Sequence, residues 1–286
     1  MKKHAATPTS SFARALDGSR LGYDLFHADP ALPRIALIHS LAMDRRVWTD
    51  VAQALNERAS VLVMDCRGHG QSDASDVPYT TSLLAADLRD AMDALGWPSA
   101  VVAGASMGGC VALQFAADHP GRIDALGLVD TTAWYGPDAS RDWAARATRA
   151  SDEGLAALLD FQISRWFSDA FVAARPDIVQ QCRDTFLSNR PAAFAASCRM
   201  LGDFDARSAL SSIHVPTAIV VGEHDYATPL AMAQALHEAI TGSRLTVVPG
   251  ARHLTPLESP AIVAAELERL LAQIGNRQRN TLDGTV

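Results

Sequence analysis

The chain has 286 residues, 48% hydrophobic and 20% charged, a globular composition large enough to bury a substantial core in one α/β domain or two smaller ones. With 25 basic and 32 acidic side chains it carries a formal charge of −7, and it shows no basic stripe of the kind nucleic acid or an anionic membrane surface would attract. No stretch approaches the roughly 18 uncharged apolar residues of a membrane span, and Met1–Ser10 has no apolar segment of the kind a secretory signal carries.

The four cysteines, Cys66, Cys110, Cys182 and Cys198, are far apart and form no Cys-x-x-Cys pair, so they read as free thiols in a reducing cytoplasm, with no disulfide framework and no metal site. No cofactor motif is present. The expected partner is a small molecule, and oligomeric state is not written in the sequence.

In chain order, residues 1–11 are polar and aperiodic and read as a loose tail. Phe12–Ala15 and Leu21–Phe26 flank Asp17-Gly18 as an opening hairpin. Short apolar runs follow at Ile35–His39, Ser60–Cys66, Ala100–Gly104, Ala125–Asp130, Thr217–Gly222 and Leu245–Val248. They show little alternation, as strands covered on both faces do. Helical patterns at Thr81–Leu95, Met107–His119, Leu230–Ile240 and Ala261–Ile274 lie between or after them. That alternation predicts a mainly parallel sheet wrapped by helices.

Residues 132–205 break the rhythm. They hold no strand pattern, but Leu155, Leu158, Leu159, Ile163, Trp166 and Phe167 share one helix face. This stretch is several times longer than an ordinary crossover and reads as a helical lid inserted into a core formed by 12–131 and 206–274. Residues 275–286 read as a second loose tail.

Gly104-Ala105-Ser106-Met107-Gly108 is a G-x-S-x-G between a strand and a helix, the context that gives this motif its meaning. The tight turn exposes the serine hydroxyl above the N-terminus of the helix, where free N–H groups favour negative charge. A serine needs a base, and of nine histidines His253 lies in a glycine-containing loop directly after the last strand. The imidazole needs a carboxylate, for which Asp225 fits by loop position and chain order, with Glu223 and Asp130 as rivals. Oxyanion donors are expected from the backbone N–H groups of Met107 and Leu41, with His39 organising the latter's loop. The turn-rich segment Asp65–Asp73 reads as a buttress for the rim.

Together these segments resemble the α/β-hydrolase superfamily from about Phe12 to Ile274, and within it the β-ketoadipate enol-lactone hydrolases. The resemblance rests on Ile38–Asp44, Asp65-Cys66-Arg67-Gly68-His69-Gly70-Gln71-Ser72, Ser164–Phe167 and Cys198–Phe204. Ala42-Met43 departs from the glycine and small polar residue of that family's oxyanion loop. The resemblance implies the α/β-hydrolase fold and cleavage of an ester or lactone through an acyl-serine. Broad carboxylesterases, C–C bond hydrolases and cofactor-free perhydrolases share the scaffold, and a ligand receptor could retain the triad. A carboxylate-bearing substrate would want inward arginines, for which Arg45, Arg46 and Arg165 are candidates. Trp134 and Trp166 are the aromatic residues expected at the pocket.

Overall fold

The computed structural model describes residues 7–27 and 29–283, with side-chain environments as far as residue 275. The strands are β1 (Thr9–Arg14), β2 (Arg20–Phe26), β3 (Arg34–Ile38), β4 (Ser60–Met64), β5 (Ala100–Ala105), β6 (Ile123–Val129), β7 (Thr217–Gly222) and β8 (Arg244–Val248). They form one sheet in the order β1-β2-β4-β3-β5-β6-β7-β8. The β1–β2 and β2–β4 pairings are antiparallel and all the others parallel. Every residue of β4, β5 and β7 is buried, which accounts for their unbroken apolar sequences.

The helices are α1 (Thr49–Leu55), α2 (Thr81–Ala94), α3 (Met107–Asp118), α4 (Ala139–Glu153), α5 (Leu159–Trp166), α6 (Asp169–Ala174), α7 (Pro176–Ser188), α8 (Pro191–Gly202), α9 (Leu230–Ala239), α10 (Thr255–Glu258) and α11 (Pro260–Asp283). The pairs α1–α11 and α2–α3 pack together over the strands, and α9 packs on β7 and β8. Among the described residues no helix is long and apolar enough to cross a membrane.

Helices α4–α8 sit between β6 and β7 as a cap. Its two ends meet at a neck, where Trp134 pairs with Asp205 and the Ala206 N–H donates to Ala133 O at 2.9 Å. Inside, Trp166, Phe167, Phe186 and Phe194 pack ring against ring, and α4 lies along α8. The expected continuous apolar face is broken: Leu155–Leu158 form a 3₁₀ turn, α5 follows, and Phe167 is already extended at φ −130°.

Both expected tails need correction. Residues 9–11 belong to β1, where their backbone pairs with β2 and the Ser10 hydroxyl donates to Asp24 at 2.6 Å; their side chains are exposed on an edge strand, which is why no apolar pattern marks them. Residues 275–283 continue α11. A helix already nucleated extends at one hydrogen bond per residue and needs no apolar period to do so. Residues 1–6 and 284–286 of those tails lie outside the described residues.

The Asp65–Asp73 loop is held by buried charge. Arg67, 1% exposed, donates from Nε and Nη2 to Asp87 (2.9 and 2.6 Å), while its Nη1 reaches Asp17 (2.6 Å), Ser19 (2.9 Å) and Ser75 (3.0 Å). One guanidinium thus ties the β1–β2 turn, this loop and α2 together. Arg67→Met leaves Asp87 buried without its cation and is expected to cost about 3 kcal/mol or more in urea unfolding. Adding Asp87→Leu should recover much of that loss, because it removes the orphaned charge.

Candidate active site

Parallel strands end together, so the loops after β3, β5, β7 and β8 converge at one edge of the sheet. Ser106 occupies the turn from β5 into α3 with φ +53° and ψ −115°, a conformation costly for any side chain but glycine. The turn closes only because its flanks lack side chains: a Cβ on Gly104 would overlap the backbone of Gly108, and one on Gly108 would overlap that of Ile38. The Ser106 N–H donates to Val129 O (2.9 Å) and its carbonyl accepts from the Thr131 hydroxyl (2.8 Å), so the end of β6 and the loop after it fix the strained turn.

Ser106 Oγ lies 2.9 Å from His253 Nε2, and His253 Nδ1 lies 2.8 Å from Asp225 Oδ2. The second contact fixes the tautomer: Nδ1–H donates to the carboxylate, leaving Nε2 free to accept from the serine. Asp225 is held in turn by the N–H groups of Ala227 (2.7 Å) and Thr228 (2.9 Å) and by the Thr228 hydroxyl (2.8 Å). Burial works against its charge, but the imidazole and these donors keep the carboxyl below its usual value. Burial likewise disfavours the imidazolium, yet the Asp225 charge and hydrogen bond outweigh it and raise His253 above the ordinary histidine value.

The rival carboxylates are engaged elsewhere. Asp130 is fully buried and accepts from Gly222 N–H (3.1 Å) and from the N–H and hydroxyl of Thr255 (2.9 and 2.7 Å). Burial and the charge of Asp225 push its pKa up to about 8. Glu223 turns outward to the Gly250 N–H at 2.8 Å.

Leu41 lines the same cavity as Ser106, and Met107 begins α3, where the first N–H groups have no intrahelical partner. The Leu41 loop is set by His39. Its Nε2 accepts from the Cys66 N–H (2.9 Å), so the proton sits on Nδ1, which donates to Ser40 O (2.7 Å). That carbonyl also accepts from Met43 N–H at 3.1 Å. Because a trans peptide holds C=O and N–H on opposite sides, tying down the Ser40 carbonyl aims the Leu41 N–H away from His39. Burial depresses the His39 pKa and keeps the ring neutral for this role.

The cavity at Ser106 is lined by Ser40, Leu41, Tyr135, Trp143, Arg146, Gln162, Arg165, Trp166, Thr228 and His253 among others. Arg165 and Trp166, two of the residues expected at the pocket, stand in this lining. Arg45 is not. It pairs with Asp24 (3.0 Å) and with fully buried Asp65, and it donates to Gln71 (2.9 Å), since a carboxylate removed from water requires a cation. Arg46 pairs at the surface with Asp44 (2.7 Å).

Trp134 faces away as well. The neck is extended there, so neighbouring side chains point to opposite sides, and Tyr135 enters the cavity instead. Trp134 lies under Arg207, 3.7 Å from its ring centre, in a separate apolar cleft with Leu210, Met232 and Leu236.

Tyr135, Trp143, Arg146 and Gln162 went unrecognised in the sequence. Trp143 and Arg146 sit three apart on α4, and Gln162, Arg165 and Trp166 follow helical spacing on α5; that polar–aromatic face was the available signal. Arg146 stacks on Trp143 (4.5 Å) and Phe161 (5.2 Å), and Arg165 also lies over the Phe161 ring, at 4.9 Å, while bonding Tyr226 O. Among the described residues neither guanidinium is paired with a carboxylate, and no cluster of side chains could hold a metal ion.

A family model described as the α/β hydrolase fold matches residues 33–260. A 3-oxoadipate enol-lactonase of Acinetobacter baylyi is 31% identical over 228 residues, spanning 80% of this chain and 84% of the relative. Among solved structures, an enol-lactonase from Burkholderia xenovorans LB400 has a TM-score of 0.87 at 31% identity, covering 92% of this chain and all of that one. A thermophilic esterase from Thermogutta terrifontis, solved with malate bound, has a TM-score of 0.85 at 27% identity, covering 94% and 99%.

The balance of burial against the Asp225 charge gives a titration with a known sign. His253 is expected to titrate above 6.5 in the folded protein when followed by NMR. In Asp225→Asn the opposing charge is gone and burial prevails, so the midpoint should fall below that of wild type; a midpoint unmoved or raised would contradict the balance described.

Proposed function

The chain belongs to the α/β-hydrolase fold family, and from that premise we propose that it is a serine hydrolase cleaving a small carboxylic ester or lactone through an acyl-serine intermediate. The observation that carries this reading is the unbroken hydrogen-bond chain from Asp225 through His253 to Ser106 at the wall of a cavity.

In this mechanism His253 Nε2 takes the Ser106 hydroxyl proton as Oγ bonds to the substrate carbonyl carbon. The carbonyl oxygen becomes an oxyanion that accepts from the N–H groups of Met107 and Leu41. Asp225 stays ionised and stabilises the imidazolium. Collapse breaks the bond to the leaving oxygen, which receives the proton from His253. In a lactone the leaving oxygen stays tethered to the acyl group. Water then attacks the acyl-serine, giving its proton to His253, and Ser106 is regenerated as the acid departs.

The substrate we propose carries a carboxylate, as in a small enol-lactone. The support is the pair of unneutralised guanidiniums, Arg146 and Arg165, on the cap wall facing the serine loop. Burial, with a further contribution from the like charge of Arg165, holds Arg146 below the ordinary arginine pKa, so a substrate anion there would relieve a real electrostatic cost. Aromatic faces hold both side chains in place without neutralising them.

Ser106→Ala is expected to reduce turnover of p-nitrophenyl acetate by about a thousandfold or more. Equal trace rates in wild type and variant would reject the serine mechanism. Arg146→Met should raise KM for a carboxylate-bearing lactone about tenfold or more, in line with loss of a charge-assisted hydrogen bond, while p-nitrophenyl acetate changes by no more than about twofold. Equal effects on both substrates, or none on the lactone, would reject the anionic substrate and leave the serine mechanism standing.

A further inference from the structure

The loop bearing His253 is hydrogen-bonded to the cap as well as joined to the sheet. The His253 N–H donates to Trp166 O at 3.1 Å, and the Leu254 N–H donates to the same carbonyl at 3.1 Å. Next to the histidine, Arg252 Nη1 donates to Ser164 O (3.0 Å) and Phe167 O (2.8 Å) and forms an ion pair with Asp169 at 3.2 Å. The Arg252 N–H donates to Glu258 Oε1 at 2.8 Å, and the Glu258 carboxylate also accepts from the Ser168 hydroxyl (2.6 Å) and the Ser168 N–H (3.2 Å).

Ser164, Trp166 and Phe167 stand at the C-terminal end of α5, where carbonyls lack intrahelical donors and the helix dipole favours a cation. Arg252 and the N–H groups of the two following residues supply both. The same end of α5 carries Arg165 and Trp166 in the cavity wall, and Arg165 bonds Tyr226 O, the residue after Asp225.

We propose that Arg252 is a positioning residue for His253: by clamping cap segment 164–169 to the base's loop, it makes seating of the cap and placement of the imidazole a single event. The role rests on the reading of His253 as the base. The backbone N–H of His253 finds its partner in the cap, so a cap that lifts takes away the bond that sets the height of the ring above Ser106. Displacements of about 1 Å at a reacting group can cost on the order of a hundredfold in rate. Substrate seen by Arg165 and the base seen by Trp166 O then share one helix end.

The test is Arg252→Met beside Arg252→Lys. The guanidinium also lies over the Tyr226 ring at 5.4 Å, but its three polar contacts converge on one nitrogen, so an ammonium, with three donors on a single nitrogen, can reproduce those. The methionine variant is expected to lose about ten- to a hundredfold in kcat on p-nitrophenyl acetate with KM changed by no more than about twofold, and the lysine variant to recover most of it. Phosphonylation of Ser106 by a small fluorophosphonate should slow in parallel.

Ser168→Ala, a milder break in the same strap, should give a smaller loss of the same kind. The low-field Nδ1 proton of His253 reports ring placement without turnover. It should be sharp in wild type and in Arg252→Lys, and broadened or lost in Arg252→Met. An unchanged kcat and proton signal in the methionine variant, a loss seen only in KM, or a lysine variant as impaired as methionine would overturn the proposal. Because the proton signal needs no substrate, it decides the positioning role even if the serine mechanism were rejected by Ser106→Ala.

Discussion

A hydrogen bond of 2.9 Å joins two residues 147 positions apart in the chain, Ser106 Oγ and His253 Nε2, and the rest of the molecule is arranged around keeping that distance. A serine hydroxyl and an imidazole gain little from meeting in water, so the contact exists because rigid elements bring it about. The parallel sheet supplies most of the rigidity. Its strands end in register, and the turn after β5 and the loop after β8 open at the same edge. The remaining tolerance is removed locally, by a turn that holds Ser106 at positive φ and by a carboxylate that fixes the ring. Strain at the serine persists because Val129 at the end of β6 and Thr131 just beyond it bond its N–H and its carbonyl.

The cap is joined to the loops at three places. Asn189 donates to Ala42 O at 2.8 Å in the loop after β3, Arg165 bonds Tyr226 O after β7, and Trp166 O receives two N–H groups after β8. Ala42 itself sits at φ +59°, a conformation that a glycine would adopt more readily, and the Asn189 amide helps hold it there. The insertion that covers the sheet edge therefore doubles as scaffolding for the groups beneath it.

Much of this was visible in the linear sequence, for a definite reason. Features dictated by backbone chemistry leave a local mark: buried parallel strands read as apolar runs, and the turn at Ser106 reads as glycines two residues away on each side. Features dictated by contacts between distant segments leave none. Arg45 and Arg165 are both arginines near chemistry-bearing loops, and nothing in their neighbours says that Asp24 and Asp65 claim the first while the second stays free. Trp134 and Tyr135 are adjacent aromatics, and which one enters the cavity depends on pairing with Asp205, 71 positions on by number. Arg146 has Trp143 on its own helix, but its second ring, Phe161, comes from the next helix, and helical spacing does not say which face of α4 turns to the cavity.

The neck at Trp134 and Asp205 has a further consequence for how such a chain can diversify. Both ends of the cap leave the core through one paired point, so changing the length of what lies between alters the loop-closure entropy only slowly. Strands β6 and β7 pair directly with each other below that point, so the sheet's order runs through their own ladder and not through the cap. The cap can thus be exchanged as a module while the sheet stays constant. The exchange carries one condition: a replacement cap must present backbone carbonyls where Ser164, Trp166 and Phe167 now present theirs, or the histidine loop it covers is left without its anchor.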